Sequence, residues 1–325
     1  MLHVPASEPE CYSGGMDMPV RRSRMCRSKT GKRLELTARD IEIFKLLDRY
    51  RYLRSSYIHA FVGGVSSTRF KERLGDLFHE GYLDRPSQQW DFADARHSPA
   101  VYETGARAAR ALFDAGIMAG DRRTFLRETA HRQYRHSLMI CQILASLDLG
   151  VRAVPGLRFI AWPEIVGRAP EATRSSGTPF RLPVPSGGYL VPDGLFGLAY
   201  TQGGIKSYRF FALEADRGTM PIARSSSHQT SYLGKIAAYR EIIAHRVYKT
   251  HLGLPNFLVL TLTTGEARMA DIIGRLGNQT GDHATFLFKT VNTSALTTPA
   301  PQLLFEPWQR AGFPPLCIAD ASAQT

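Results

Sequence analysis

The sequence predicts an α+β protein in which a mostly helical N-terminal part precedes a mixed α/β part. Two observations support this prediction. Apolar residues recur at helical spacing through about residue 147, after which they gather into short runs that are typical of strands. The 325 residues are 43% hydrophobic, which is enough apolar material for two modest cores. We therefore expect two folded domains.

Charge and composition narrow the choice of partners. The chain has 41 Lys and Arg against 29 Asp and Glu, and its net charge of +12 favours a polyanion such as nucleic acid. No run approaches the roughly 18 apolar residues of a membrane span, so we expect a cytoplasmic protein with no membrane partner. Widely spaced cysteines without a CxxC pair argue against a disulfide framework or a zinc ribbon: Cys11, Cys26, Cys141 and Cys317.

Residues 1–33 are predicted to be a disordered basic arm. All seven of its Lys and Arg residues lie in the run RRSRMCRSKTGKR at residues 21–33. Such a run is compatible with phosphate binding, and equally with a solvated tail.

Residues 34–118 are predicted to form a winged helix-turn-helix domain. Thr37 and Asp40 resemble a capping box at the start of a first helix. A short second helix ends at the glycine pair 63–64, and a third helix follows directly, which is helix-turn-helix order. The polar residues 84–98 then separate two short strands, as the loop of a wing does.

The third helix carries the candidate DNA contacts. Its apolar residues recur at helical spacing, which turns the polar residues near its N-terminal end outward. Side chains in that position reach base edges and phosphates in a major groove. The candidates are Ser66, Ser67, Thr68, Arg69, Lys71 and Arg73. Because this domain holds 12 basic and 12 acidic residues, a module that docks on protein is the alternative.

The rest of the chain is predicted to hold a connecting helix, an α/β domain and a tail. The connecting helix is placed at 119–150 and the α/β domain at 151–290. Within that domain a buried strand is expected over 208–216, and an edge strand over 284–288. Residues 291–325, rich in Thr, Ala, Pro and Gln, are expected to form a tail without chemistry.

Three carboxylates and a lysine are the candidate catalytic residues. Glu214 and Asp216 lie two apart at the end of a strand and so share a face, and Asp193 lies at a break between apolar runs. Converging carboxylates repel one another unless a cation binds them, so the three predict a Mg²⁺ site that cleaves phosphodiesters, with Lys235 assisting. The alternative is a set of ion pairs, in which Arg209, Arg217 or Lys235 neutralises Glu214 and Asp216, and Asp193 only shapes a turn.

The chain resembles the replication-relaxation family, which is found on bacterial plasmids and other mobile elements. The resemblance covers about residues 34–265 and rests on LTARDIEIFKLLDRYRYLRSSYIHAFV, SSTRFKERLGDLFHEGYLDR, VPDGLF, FFALEADRGT and KIAAYREII. The second half is also similar to the PD-(D/E)xK restriction-endonuclease-like fold, whose motif falls on Asp193, Glu214 and Asp216. Active enzymes of that fold have lysine where Asp216 stands, so only Lys235 could replace it. An inactivated domain that binds DNA is equally consistent with this change.

The resemblance and the residues together predict a protein that binds double-stranded DNA. Its expected context is a bacterial mobile element or plasmid, in replication, transfer or transcription control. The alternatives are an active Mg²⁺-dependent endonuclease and a protein-docking scaffold. Winged helices often act as twofold dimers, so a homodimer on a palindromic site is the expected assembly. His131 and His136 are expected to be structural residues on a helix.

Overall fold

The computed structural model describes most of the chain. The residues described are 22–28, 31, 33–64, 66–91, 95–117, 134–218, 221–222, 231–278 and 283–321. Helices and mixed sheets alternate along them, which confirms the predicted α+β class. His131 and much of the expected connecting segment lie outside these residues. Within the described part, no helix is long and apolar enough to span a membrane.

In the described residues, the N-terminal unit has four helices and a small sheet. Its helices are α1 (Ala38–Tyr50), α2 (Ser55–Val62), α3 (Ser67–His79) and α4 (Ala106–Asp114). Its strands are β1 (Leu53–Arg54), β2 (Leu83–Asp84) and β3 (Val101–Thr104), and they form an antiparallel sheet in the order β1-β3-β2. A 3-10 turn at Ser87–Asp91 lies in the connection between β2 and β3.

The predicted capping box at the start of α1 is present. The Thr37 side chain accepts a hydrogen bond from the Asp40 amide at 3.3 Å, and Asp40 Oδ2 accepts one from the Thr37 amide at 2.7 Å. These bonds satisfy backbone donors that the first turn of a helix otherwise leaves free. The helix therefore begins where the sequence predicts.

The basic arm is partly folded onto this unit. Within residues 22–28, the Arg22 guanidinium pairs with Asp76 at 2.7 Å. Arg24 donates to the carbonyl of Arg96 at 2.7 Å, and Arg27 donates to the carbonyl of Phe78 at 3.0 Å. The described part of the arm thus differs from the solvated tail that composition suggests, because its guanidinium groups have protein acceptors.

The C-terminal unit is built on a seven-stranded sheet in the order β12-β11-β10-β9-β8-β7-β4. Strand β9 pairs in parallel with β8 and β10, and the other pairs are antiparallel. The strands are β4 (Leu157–Ala161), β7 (Gly194–Gln202), β8 (Ile205–Asp216), β9 (Leu258–Thr263), β10 (Phe286–Thr290), β11 (Trp308–Arg310) and β12 (Phe313–Leu316). The short hairpin β5 (Leu182–Pro183) with β6 (Tyr189–Leu190) lies apart from this sheet.

Helices cover both faces of the large sheet. One face packs on α5 (Tyr134–Arg152) and α11 (Gln302–Phe305), and the other packs on α8 (Tyr232–Ala244) and α10 (Glu266–Gly277). The described part of this unit also has three shorter helices: α6 (Trp162–Gly167), α7 (Glu171–Arg174) and α9 (Val247–Leu252). Alternate residues of β8 enter the two cores, as the two-residue period of a strand requires.

Helix α5 belongs to both units. Leu138 and Cys141 are buried in the N-terminal core, whereas Ile143 and Leu147 are buried against the large sheet. The helix therefore joins two cores along its length, which is more than the connecting role that we predicted for this region.

The segment after residue 290 differs from the tail that we expected. Residues 308–310 and 313–316 add two strands to the sheet, so β10 lies inside the sheet and is not the predicted edge strand. The Trp308 side chain is fully buried, and its indole N–H donates to the carbonyl of Leu303 at 3.0 Å. The composition of residues 291–325 did not indicate these strands, because both are short and β12 contains two prolines.

Candidate functional site

The acidic residues meet at one end of the large sheet. Strands β7 and β8 are antiparallel with Gly194 opposite Leu213, so the start of β7 lies beside the end of β8. Asp193 immediately precedes β7, and Glu214 and Asp216 close β8. Glu214 and Asp216 alternate with buried residues of the other face, which directs both of them toward α8 and α10.

Glu214 is held by two residues of α8. Lys235 Nζ donates to Glu214 Oε2 at 2.6 Å, and the Tyr239 hydroxyl donates to Glu214 Oε1 at 2.6 Å. Residues four apart share one face of a helix, which is why the i, i+4 pair reaches one carboxylate. The Glu214 side chain is only 4% exposed, so these two donors supply its solvation.

Asp193 is held by donors from three elements. Its Oδ2 accepts a hydrogen bond from the Ala215 amide at 2.9 Å, and its Oδ1 lies 3.1 Å from His136 Nε2 on α5. Lys235 Nζ lies 4.0 Å from the same Oδ1. Lys235 therefore stands between Asp193 and Glu214, and we call these residues, with His136 and Tyr239, the acid-lysine cluster.

The two carboxylates of the acid-lysine cluster differ in proton affinity. Burial and the neighbouring negative charge of Asp193 raise the pKa of Glu214 to about 8. Burial also acts to raise the pKa of Asp193, but the His136 hydrogen bond and the Lys235 charge outweigh it and lower that pKa. The charges of Glu214 and Asp193 raise the pKa of Lys235 despite its burial. When the pKa values of two neighbouring carboxyl groups are shifted in opposite directions, one group can act as an acid and the other as a base.

Asp216 is neutralised apart from the other two acids. Both of its oxygens accept from the Arg268 guanidinium on α10, one of them from Nη2 at 3.0 Å, and Oδ1 also accepts from the Gly218 amide at 3.0 Å. The bidentate arginine explains how this carboxylate can be buried at a strand end. In the described residues, no three His, Cys, Asp or Glu side chains are grouped closely enough to hold a metal ion.

The predicted Mg²⁺ ligand set does not fit the residues as they are arranged. All four oxygens of Asp193 and Glu214 already have protein neighbours that donate or can donate, and the Lys235 ammonium lies between the two carboxylates. Asp216, the third predicted ligand, is engaged by Arg268. The ion pair between Lys235 and Glu214 matches the alternative that the sequence left open, except that Arg268 and not Arg217 neutralises Asp216.

A small apolar cavity of about 40 Å³ borders Asp193. Residues of both units line it, among them Tyr50 of α1, Ile140 of α5, Phe159 and Trp162. One edge of the acid-lysine cluster is thus bounded by apolar side chains, which weakens dielectric screening there.

The candidate DNA contacts lie at the exposed end of α3, with one exception. Five of them are exposed: Ser66, Ser67, Thr68, Arg69 and Lys71. Arg73 instead forms two hydrogen bonds with the buried Asp40, at 2.6 and 3.0 Å, and donates to the carbonyl of Glu35 at 2.7 Å. Arg73 therefore fastens α3 to the start of α1, and its predicted role in DNA binding has no support in this geometry.

Sequence reasoning missed two residues of the site. Arg268 follows β9, and because parallel strands end at the same edge of a sheet, the first turn of α10 had to lie near Asp216. The strand-helix order of the sequence therefore contained a signal that could have identified Arg268. The sequence predicts a structural role for His136, and its contact with Asp193 depends on how α5 packs between the two units, which spacing alone does not reveal.

The arrangement defines an α+β protein with an acid-lysine cluster at a sheet end and a helical unit before it. A family model described as replication-relaxation matches residues 44–256, well over half of the chain. The chain belongs to the replication-relaxation family, which points to a role in the replication or relaxation of plasmids or other mobile elements. No curated protein and no solved structure matches it.

Proposed function

We propose that this protein binds double-stranded DNA of a plasmid or other mobile element and acts in its replication, transfer or transcription control. In this proposal residues 34–118 act as a winged helix, with α3 in the major groove, and the second unit is a nuclease-like domain that grips DNA. The observation that carries the proposal is the exposed polar end of α3, where Arg69 and Lys71 lie beside three hydroxyl side chains. A twofold dimer on a palindromic site is the assembly that suits this binding mode.

Binding through α3 is tested with point variants. Arg69→Ala or Lys71→Ala should weaken binding to the cognate DNA by about 1–3 kcal/mol, because each removes a cationic contact to a base or phosphate. Lys45→Ala is the matched control, since Lys45 is only partly buried on α1 and pairs with Glu42 at 2.7 Å. Fluorescence anisotropy on duplexes selected from a random pool measures the affinities.

Equal affinities for all three variants and the unaltered protein would reject α3 as the reading element. If in addition no duplex is selected, the protein-docking function becomes the better account of the N-terminal unit.

A second candidate function is Mg²⁺-dependent DNA cleavage. The convergence of Asp193, Glu214 and Lys235 favours it, since these are the residue types that the nuclease-like motif requires. Two observations favour the binding function instead. Arg268 engages Asp216, and every carboxylate oxygen in the cluster already has a protein neighbour.

A nicking assay with calorimetry separates the two functions. Supercoiled plasmid is incubated with the full chain and Mg²⁺, and Mg²⁺ binding is titrated on the same sample. The binding function predicts neither metal binding nor nicking. Nicking that is lost in Glu214→Gln, with the folded content unchanged, would establish the endonuclease and remove the simpler proposal.

A further inference from the structure

A groove of about 310 Å³ lies where α1, α2 and α5 meet. Part of its lining is apolar, because Leu46 is buried there and Phe61 and Val62 are half-buried. Its charged lining residues are Arg39, Glu42 and Arg152. The volume falls at the lower end of the range of about 300 to 1,000 Å³ that small-molecule sites occupy. This groove is therefore large enough for a ligand, unlike the small cavity beside the acid-lysine cluster.

Arg39 lines this groove without a protein partner. Among the residues that the structure describes, the exposed Arg39 side chain has no hydrogen bond and no ion pair. Its guanidinium lies against Gly64, since a β-carbon built on that glycine would be 2.7 Å from Arg39 Nη2. Gly64 stands in the turn between α2 and α3, so Arg39 borders both the groove and that turn.

Arg152, the last residue of α5, is held against the apolar lining. Its Cζ lies 4.5 Å from the centre of the Phe61 ring, and its Nε donates to Asp148 at 3.4 Å. Asp148 also accepts from Arg49 and Tyr50, so its charge is shared between two guanidinium groups. In the described part of the chain, the two terminal nitrogens of Arg152 have no acceptor. They are therefore available to a ligand, on a side chain that its stacking already holds in place.

The charges and the apolar lining together select an organic anion. Arg39 and Arg152 line the groove, whereas the described carboxylate in the lining, Glu42, pairs with Lys45 at 2.7 Å. Guanidinium groups bind carboxylates and phosphates through paired hydrogen bonds. An inorganic ion would leave the apolar lining uncovered, and so would a phosphodiester backbone, which has no large apolar body. A small molecule with an oxyanion and an apolar body covers both parts of the surface.

We propose that this groove binds a small organic anion. Its carboxylate or phosphate oxygens accept from Arg39 and Arg152, and its aliphatic or aromatic body covers Leu46, Phe61 and Val62. The anion supplies the partner that Arg39 lacks among the described residues. This site goes beyond the proposed function and does not depend on it, since its ligand is not DNA.

The test titrates two fluorescent probes into the full chain. Anilinonaphthalene sulfonate has an aromatic body and an oxyanion, and phenylnaphthylamine has the same body without the charge. Arg39→Gln and Arg152→Gln each remove one guanidinium from the groove. Arg275→Gln is the matched control, because Arg275 is 49% exposed and pairs with the Asp271 carboxylate one helical turn away, as the 47% exposed Arg152 pairs with Asp148.

We expect the unaltered protein and Arg275→Gln to bind the sulfonate probe equally well. Arg39→Gln and Arg152→Gln should each bind it roughly tenfold more weakly, because each loses a charge-assisted hydrogen bond. The uncharged probe should bind more weakly than the sulfonate and should not distinguish the variants. Arg39→Gln should unfold at the same temperature as the unaltered protein, since among the described residues Arg39 has no partner to lose. A weaker signal from this variant therefore reports on the site and not on unfolding.

Several results would overturn the site. One is the absence of any fluorescence change when the unaltered protein is titrated with the sulfonate probe. Equal affinity of the sulfonate for both site variants and the unaltered protein would place the probe elsewhere on the chain. Equal binding of the two probes by the unaltered protein would show an apolar surface that does not select an anion. Weaker binding of duplex DNA by Arg39→Gln, with unchanged binding of the sulfonate, would assign the groove to the DNA backbone instead.

Discussion

At the scale of single residues, Glu214 is a carboxyl group that lies almost entirely out of contact with water. It is buried, it faces Asp193 across Lys235, and it accepts from both Lys235 and Tyr239. Burial and the nearby Glu214 also raise the pKa of Tyr239 well above its ordinary value, so this hydroxyl stays a donor. The result is a carboxyl group that loses its proton at a higher pH than an exposed glutamate does, and that forms the ion pair with Lys235 once it is charged.

A pH profile of stability tests this description. The pKa of Glu214 is about 8 in the folded state against an ordinary value of 4.5. Between these values the folded chain holds a proton that the unfolded chain releases, so stability that is present at low pH is lost as the pH rises toward 8. The free energy of unfolding should fall by up to about 1.4 kcal/mol per pH unit in this window.

Glu214→Gln should flatten that profile, because an amide binds no proton there. Glu171→Gln is the control, since Glu171 is an exposed carboxylate paired within its own helix. Denaturant unfolding at a series of pH values measures the difference. Equal slopes for Glu214→Gln and the unaltered protein would contradict the raised pKa.

Arg73 shows how a charged residue that suits a DNA contact can be structural. Asp40 is 1% exposed and Arg73 is 29% exposed, so the carboxylate depends on this partner. Arg73→Met should lower the free energy of unfolding by about 3 kcal/mol, because it leaves a buried charge unpaired. Arg69→Met, a change on the exposed side of the same helix, should stay within about 0.5 kcal/mol. Equal stability of the two variants in chemical denaturation would show that the pair contributes nothing.

At the scale of elements, α5 has the most consequence, because it is shared by two cores and carries His136 to Asp193. Its Cys141 is buried between α5 and the N-terminal core, and burial raises the pKa of that thiol to about 11. Near neutral pH the group is therefore a thiol, which is not the reactive form.

The rate at which Cys141 is alkylated can show whether α5 separates from the N-terminal core. Under native conditions an alkylating reagent should modify Cys26 and Cys317, which are half-buried, while Cys141 remains unmodified until the chain unfolds. Peptide mapping by mass spectrometry at increasing denaturant gives the order. Modification of Cys141 as fast as the other two in native buffer would mean that α5 separates from the N-terminal core without global unfolding.

At the scale of the whole molecule, the C-terminal segment ties the two units together. The Tyr57 hydroxyl of α2 lies 2.9 Å from the carbonyl of Thr298, and Ser56 donates to the carbonyl of Thr297 at 2.6 Å. On the adjoining face, the Tyr50 hydroxyl donates to Asp148 of α5 at 2.6 Å. The helical unit is thus bonded both to α5 and to the segment that completes the large sheet.

The large sheet depends on the same segment. Trp308→Ala should lower the free energy of unfolding by about 3–5 kcal/mol, because it removes a fully buried aromatic side chain and leaves a cavity. Phe313→Ala is the control, since Phe313 is 41% exposed and should change stability far less. A single unfolding transition that shifts for Trp308→Ala would show that the segment folds with the rest. An unshifted transition would contradict its place in the core.

Local features of this protein could be predicted from the sequence, and those predictions depended on residues a few positions apart. The capping box at Thr37, the shared face of Glu214 and Asp216, and the shared helix face of Lys235 and Tyr239 all follow from helix and strand periods. The family could be recognised for the same reason, since its motifs are contiguous stretches of chain.

Only the tertiary structure decided which charges meet. His136 reaches Asp193, Arg73 pairs with Asp40, and the expected tail supplies two strands. Each of these contacts joins segments far apart in sequence, and each forms because a buried charge or an unpaired strand must find its partner within the packed fold. Residue types and spacing determine the elements and the candidate groups, whereas packing determines the partners that set their chemistry.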